Sequence, residues 1–132
     1  MTDDNTWRLQ TRHIWRIIGF MVLTDYRGFK IELSDEALEH IRKGHAEITV
    51  AVIAETMATP DEVRKSTQVK FSSKCTAELY YRRKSIAAGQ VRWNVVVVKL
   101  CPDGNYVTSA YTAEALKQGD VVYPKPKKKV KK

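Results

Sequence analysis

Four consecutive β-branched residues, Val95-Val96-Val97-Val98, constrain the fold more than any other stretch of this chain. A strand alternates its side chains between two faces, so an unbroken apolar run predicts a strand covered on both sides. The run lies within a longer β-rich segment, residues 91–101, and Pro102-Asp103-Gly104-Asn105 after it is a turn signal. A strand over residues 106–112 then completes a hairpin. Further strand-like segments, residues 61–67, 77–84 and 121–123, are separated by polar or glycine-containing stretches.

Before Pro60 the pattern differs. Residues 20–24 read as a strand, Asp25-Tyr26-Arg27-Gly28 as a turn, and residues 29–33 as a strand with Phe29, Ile31 and Leu33 on one face. Helix and strand cannot be separated over residues 7–18, and residues 1–6 read as loose. Ser34 is a good N-cap, Asp35 and Glu36 suit the first turn, and Leu33 with Leu38 has the spacing of a hydrophobic staple. With Arg42 and Lys43 in the last turn and Gly44 as the stop at C′, a helix is predicted over residues 35–43. A second, largely buried helix is predicted over residues 47–58, closed by Thr59-Pro60. The expected fold is α+β, with N-terminal helices packed on an antiparallel sheet.

The 132 residues suit one ordinary domain, expected over residues 1–123. Hydrophobic residues at 43% and charged residues at 29% allow a normal core and a solvated surface. No apolar run approaches the roughly 18 residues of a membrane span. The stretch 14–23 is broken by Arg16 and Gly19 and lacks a small-residue cleavage site, so no signal peptide is predicted. Cys75 and Cys101 are too few for a disulfide framework or a four-ligand metal site, and cytoplasmic residence is expected. The net charge of +8 is concentrated in residues 124–132: removing the six lysines there leaves +2 for residues 1–123. That tail, a like-charge run with two prolines, is expected to be disordered. It reads either as a segment drawn to phosphates or as a solubilising extension.

No HExxH, CxxC, carboxylate cluster, glycine-rich phosphate loop or nucleophile elbow is present, so neither a metal nor a cofactor is expected. Three polar groups remain. His40 and His45 lie five positions apart around a predicted helix end, and imidazole suits proton transfer near neutrality. In Tyr80-Tyr81-Arg82-Arg83-Lys84, alternation puts Tyr81 and Arg83 on one face and Tyr80, Arg82 and Lys84 on the other. An inward arginine needs an anionic partner such as phosphate, whereas basic residues at a strand end also fan into solvent. Lys99 breaks the apolar run and is expected to face Ser109 and Tyr111 across the hairpin, with Thr108 and Ala110 on the other face.

Taken together, these segments resemble a known group. The string Leu33-Ser34-Asp35-Glu36-Ala37-Leu38-Glu39-His40-Ile41-Arg42-Lys43-Gly44-His45-Ala46-Glu47 looks like a helix carrying an H-I-x-x-x-H-P-E signature. Thr59-Pro60-Asp61-Glu62-Val63, Leu79-Tyr80-Tyr81-Arg82, the valine run with Lys99, and Val107-Thr108-Ser109-Ala110-Tyr111 follow in the same order. The chain is similar over about residues 20–123 to phage-associated nucleases of the barnase–EndoU–colicin–RelE-like fold. It departs from them at Ala46, where proline is usual.

The resemblance implies helices on a curved antiparallel sheet, with the active site on the open sheet face. It implies metal-independent RNA cleavage, in which the ribose 2′-OH attacks the adjacent phosphate. By carry-over the catalytic set is His45, Arg82, Lys99, Ser109 and Tyr111, with His40, Tyr81, Arg83, Lys84 and Thr108 as nucleic-acid contacts. His45 would handle the proton, Arg82 and Lys99 would stabilise the phosphorane, and Ser109 or Tyr111 would orient the phosphate. RNA is the implied partner, together with a neutralising antitoxin or immunity protein where the chain is a toxin or a phage or mobile-element effector. The alternatives are a catalytically silent nucleic-acid-binding domain or an interaction protein on the same scaffold.

Overall fold

The computed structural model describes residues 7–8, 14–17, 19–66, 74–85 and 90–124, with backbone alone for residues 7–8, 14–17 and 85. The expected lysine tail beyond Pro124 and the loose residues 1–6 lie outside the described residues. The elements run β1 (Trp7–Arg8), β2 (Ile14–Ile17), β3 (Phe20–Thr24), β4 (Lys30–Ser34), α1 (Asp35–Gly44), α2 (Val50–Ala58), β5 (Glu62–Lys65), β6 (Thr76–Ser85), β7 (Val91–Cys101), β8 (Gly104–Ala113) and β9 (Val121–Tyr123). Among the described residues the strands form one open sheet in the order β1-β2-β3-β4-β8-β7-β6-β5-β9. Every pairing is antiparallel except β4 with β8, which meet in parallel at Glu32 and Tyr106. The α+β class stands, but the helices are not N-terminal. Four strands precede them and join the sheet formed by the later strands.

Local chemistry explains the helix ends. The Ser34 hydroxyl accepts from the Ala37 backbone N–H at 3.0 Å, and Thr49 caps α2 in the same way through Val52. Helix α2 therefore starts at Val50, later than the expected residue 47. Gly44 stays helical instead of serving as the C′ stop, and His45 is the C-cap, its N–H reaching the Ile41 carbonyl at 2.7 Å. No described helix is long and apolar enough to cross a membrane.

One face of the sheet buries Leu23, Ile31, Leu33, Tyr80, Val96, Val98, Val107 and Ala110 in a single cluster with Ile41 of α1 and Ile53, Ala54 and Met57 of α2. The other face carries a smaller cluster, Leu79, Tyr81 and Val95, lined by Trp93, Val97, Tyr111 and Leu116. Within the valine run Val95, Val96 and Val98 are buried and Val97 half-buried, as a strand covered on both sides requires. Val107 and Ala110 face the same cluster although they are three apart, which simple alternation forbids. A bulge resolves this: Val97 pairs with Ser109 but Val98 with Val107, so Thr108 is the extra residue.

A buried clasp ties the β3–β4 turn to β6. The carboxylate of Asp25, at the β3–β4 turn, accepts the backbone N–H groups of Arg27 and Phe29, both at 2.9 Å, and so shapes the turn. Arg27 Nη2 donates to Asp25 Oδ2 (2.9 Å), Glu78 Oε1 (2.8 Å) and Tyr80 Oη (2.7 Å). Tyr80 Oη donates to Asp25 Oδ2 at 2.7 Å, and the Tyr26 N–H reaches the Met57 carbonyl at 2.9 Å. A turn between β3 and β4 thus touches β6 and α2, although β8 and β7 separate β4 from β6 in the sheet. Cys75 and Cys101, too few for a framework, are nevertheless disulfide-bonded across the β6–β7 ladder, with Cα atoms 4.3 Å apart.

Burial, and then the Asp25 carboxylate, push the Tyr80 phenol well above its ordinary range. Folding therefore favours the protonated phenol, and this contribution is complete below the unfolded value of about 10. It declines as pH rises past that value, by up to about 1.4 kcal/mol per pH unit. Urea unfolding followed between about pH 9 and pH 11 should show this loss, and Tyr80→Phe should flatten the slope.

Candidate nucleic-acid interface

The C-terminal end of α1 lies against β8 beyond Tyr106, the residue at which β8 pairs with β4. Between them is an open cleft of about 350 Å³ lined by His40, Ile41, Lys43, Gly44, His45, Ser109 and Ala110. The last turn of α1 supplies the first five residues of this lining, and β8 supplies the rest. Both histidines reach the cleft, although Gly44 does not break the helix between them. The Tyr111 ring centroid is 6.2 Å from that of His45, and Lys117 Nζ lies 5.8 Å from the Tyr111 ring centre. Burial raises the Tyr111 phenol above its usual range.

Glu47, which sequence reasoning did not single out as functional, stands beside the cleft. Its Oε2 lies 3.7 Å from His45 Nδ1 and accepts from the Thr112 hydroxyl at 3.1 Å. A hydrogen bond from its own backbone N–H holds this carboxyl below the usual range. Slight burial opposes that effect, while Thr112, His45 and Lys84 add to it. The acidic last position of the helix-end signature was the available signal for Glu47. Nothing local marked Thr112, which reaches the site only through the sheet register.

His40, His45, Ser109 and Tyr111 are therefore brought together, but the expected cation pair is not. Arg82 lies on the helix-bearing face with Tyr80 and pairs with Asn94, whereas Lys99 lies on the opposite face with Val97 and pairs with Ala77. Arg82 and Lys99 are also five rungs apart along the β6–β7 ladder, roughly 16 Å at the rise of a strand. The expected convergence of Arg82, Lys99 and Ser109 on one face fails. Arg82 is engaged elsewhere: its Nη1 donates to the Thr59 carbonyl at 2.6 Å and hydroxyl at 2.8 Å, and its Nη2 lies 3.3 Å from Glu55 Oε2. Lys99 does not face Ser109 either. The tight turn, which pairs Cys101 with Gly104, places Tyr106 opposite Lys99, and the bulge beyond Val98 leaves Ser109 opposite Val97, although all four side chains share one face.

The expected nucleic-acid contacts are divided as well. Tyr81 is fully buried, its hydroxyl accepting from the Lys117 N–H at 2.9 Å, so it is not a surface for a base. Arg83 is exposed on the face of Lys99, Lys84 lies on the helix-bearing face near Glu47, and Thr108 is the exposed bulge residue, donating to the Val97 carbonyl at 3.3 Å. Among the described residues no group of three or more His, Cys, Asp or Glu side chains is arranged to hold a metal. Comparison with known protein families, curated proteins and solved structures finds no match for the chain.

Proposed function

We propose that the chain is an RNA-binding domain that takes a phosphate-bearing segment into the cleft between α1 and β8. The observation that carries this reading is the gathering of His40, Lys43, His45 and Ser109 on one open cleft, beside Tyr111 and Lys117. Lysine and histidine donors suit a phosphate, the Ser109 hydroxyl can hydrogen-bond it, and an aromatic ring suits a base. The negative end of the α1 dipole faces the same region, and Arg42 and Lys43 in the last turn offset it. The order of segments along the chain agrees with the resemblance to barnase–EndoU–colicin–RelE-like nucleases. Membership of that fold belongs to the proposal.

Cleavage is a second reading, favoured by two imidazoles on one cleft. One would accept the 2′-OH proton as that oxygen attacks phosphorus, and the other would protonate the departing 5′ oxygen, leaving a 2′,3′-cyclic phosphate. Binding stands first because Arg82 and Lys99, the expected stabilisers of the phosphorane, do not reach the cleft together.

The test is incubation of labelled RNA in EDTA with wild type, the His40→Ala/His45→Ala double variant and Arg82→Ala. Wild type should bind at low salt, the double variant should bind about tenfold more weakly or worse, and Arg82→Ala should match wild type because its guanidinium is held by Thr59 and Glu55. Cyclic phosphate ends that fall about 10²–10⁴-fold in the double variant would promote the second reading. Absence of wild-type binding would overturn both.

A further inference from the structure

We infer that the sheet face turned away from α1 and α2 is a stacking track for single-stranded RNA that leads into the cleft, an inference that rests on the RNA-binding reading above. On this face β7 presents Trp93, Val95, Val97 and Lys99, and β8 presents, directly opposite, Ala113, Tyr111, Ser109 and Tyr106. Neither helix contributes to the cluster on this face. Three half-buried aromatic rings, Trp93, Tyr111 and Tyr106, therefore follow one another along a single hairpin, with Val97 and Ser109 between the last two and Lys99 opposite Tyr106. Successive same-face positions advance roughly 7 Å, so Trp93 and Tyr111 stand one such step apart and Tyr111 and Tyr106 two, strides comparable to one and two units of an extended nucleotide chain.

Each ring has a structural reason for its placement. Trp93 stands edge-on against the buried Tyr81, with centroids 6.3 Å apart and planes at 85°. Tyr106 folds back over Gly104: a Cβ there would lie 2.8 Å from the phenol oxygen and 3.1 Å from Cζ, so any other residue at 104 would push the ring aside. Tyr111 joins the row to the cleft through its contact with His45. The charge on this face suits an anionic occupant. Arg83 is the cross-strand partner of Trp93, Lys117 sits at the Tyr111 ring, and Lys99 faces Tyr106. Glu32 and Asp103 lie together at the Tyr106 end. Stacking on exposed rings with cations alongside is how sequence-tolerant single-strand binders work, whereas a duplex keeps its bases stacked on one another and offers no free base face.

The experiment measures fluorescence anisotropy of the full chain with a labelled oligouridine and with a blunt RNA duplex of equal length, in EDTA. The single strand should bind at least about tenfold more tightly than the duplex. Tyr106→Ala and Trp93→Ala should each weaken binding roughly 5- to 100-fold, while Tyr106→Phe binds like wild type. Lys99→Gln should lower the salt slope by about one. Melting curves identify any variant that fails to fold, and the surface position of Tyr106 keeps that arm informative if Trp93→Ala does not. Equal affinity for duplex and single strand would overturn the track. So would wild-type binding by folded Tyr106→Ala and Trp93→Ala proteins alongside loss in the double histidine variant, and the cleft reading would then survive alone. No oligouridine binding by wild type would remove both readings and leave this face to a protein partner.

Discussion

Replacing Arg27 with methionine should lower the free energy of unfolding by about 3–5 kcal/mol, the cost of removing one partner from a buried ion pair. The Arg27 guanidinium lies among the carboxylates of Asp25 and Glu78, whose side chains are 0% and 6% exposed. Without it, two acids with no cation between them remain beside the buried Tyr80 ring. Arg27 itself is 24% exposed, so water reaches the gap and the loss should fall at the lower end of the range. Urea unfolding at neutral pH measures the change. Adding Glu78→Gln to the variant should recover part of it by removing one of the stranded charges. A loss below about 1 kcal/mol, the worth of a surface ion pair, would mean that the clasp does not hold the turn.

Ile53→Ala should cost a similar amount, about 2–5 kcal/mol, for a different reason. Ile53 is fully buried near the middle of α2, in the cluster that draws Leu23, Ile31 and Leu33 from one wing of the sheet and Tyr80, Val96 and Val107 from the other. The lost apolar contact accounts for part of the cost. The remainder depends on whether the surroundings can close over the missing methyl groups. Here the wings are tied by the β3–β4 turn, so collapse is restricted and the cost should lie in the upper half of the range. Val52→Ala, at a half-buried neighbouring position, should cost clearly less in the same urea experiment.

What could be read from the chain beforehand divides along the range of the interactions involved. Helix α1 was legible because its cap, its acidic first turn and its basic last turn are local, and β7 was legible because four valines need cover on both sides. The alternation that separated Arg82 from Arg83 was also correct. Which of those faces the helices would occupy was not legible, because it depends on α2 packing against β6 and β7. The Asp25 turn looked like any Asp-x-x-Gly turn, because its partners Glu78 and Tyr80 lie more than fifty residues away. Of the candidate site, His45, Ser109 and Tyr111 were named together from short motifs, and the structure sets them beside one cleft along with His40. Lys99 was set opposite the wrong residue because the turn is tighter than its four-residue signal, with β8 starting at Gly104, and Arg82 was assigned to a phosphate when Thr59 and Glu55 hold it.

The bulge at Thr108 makes the length of β8 a matter of orientation. On its two sides the strand obeys opposite parities: Val107 faces the helices from an odd position, Ala110 from an even one. Removing Thr108, the extra residue, would close the bulge and restore simple alternation, leaving Val107 and Ala110 toward the helices and Ser109 and Tyr111 away from them. Removing or inserting a residue in the regular stretch beyond the bulge would instead turn every later position over to the other face. Tolerance of a change in residue number is thus concentrated at this one position of the strand.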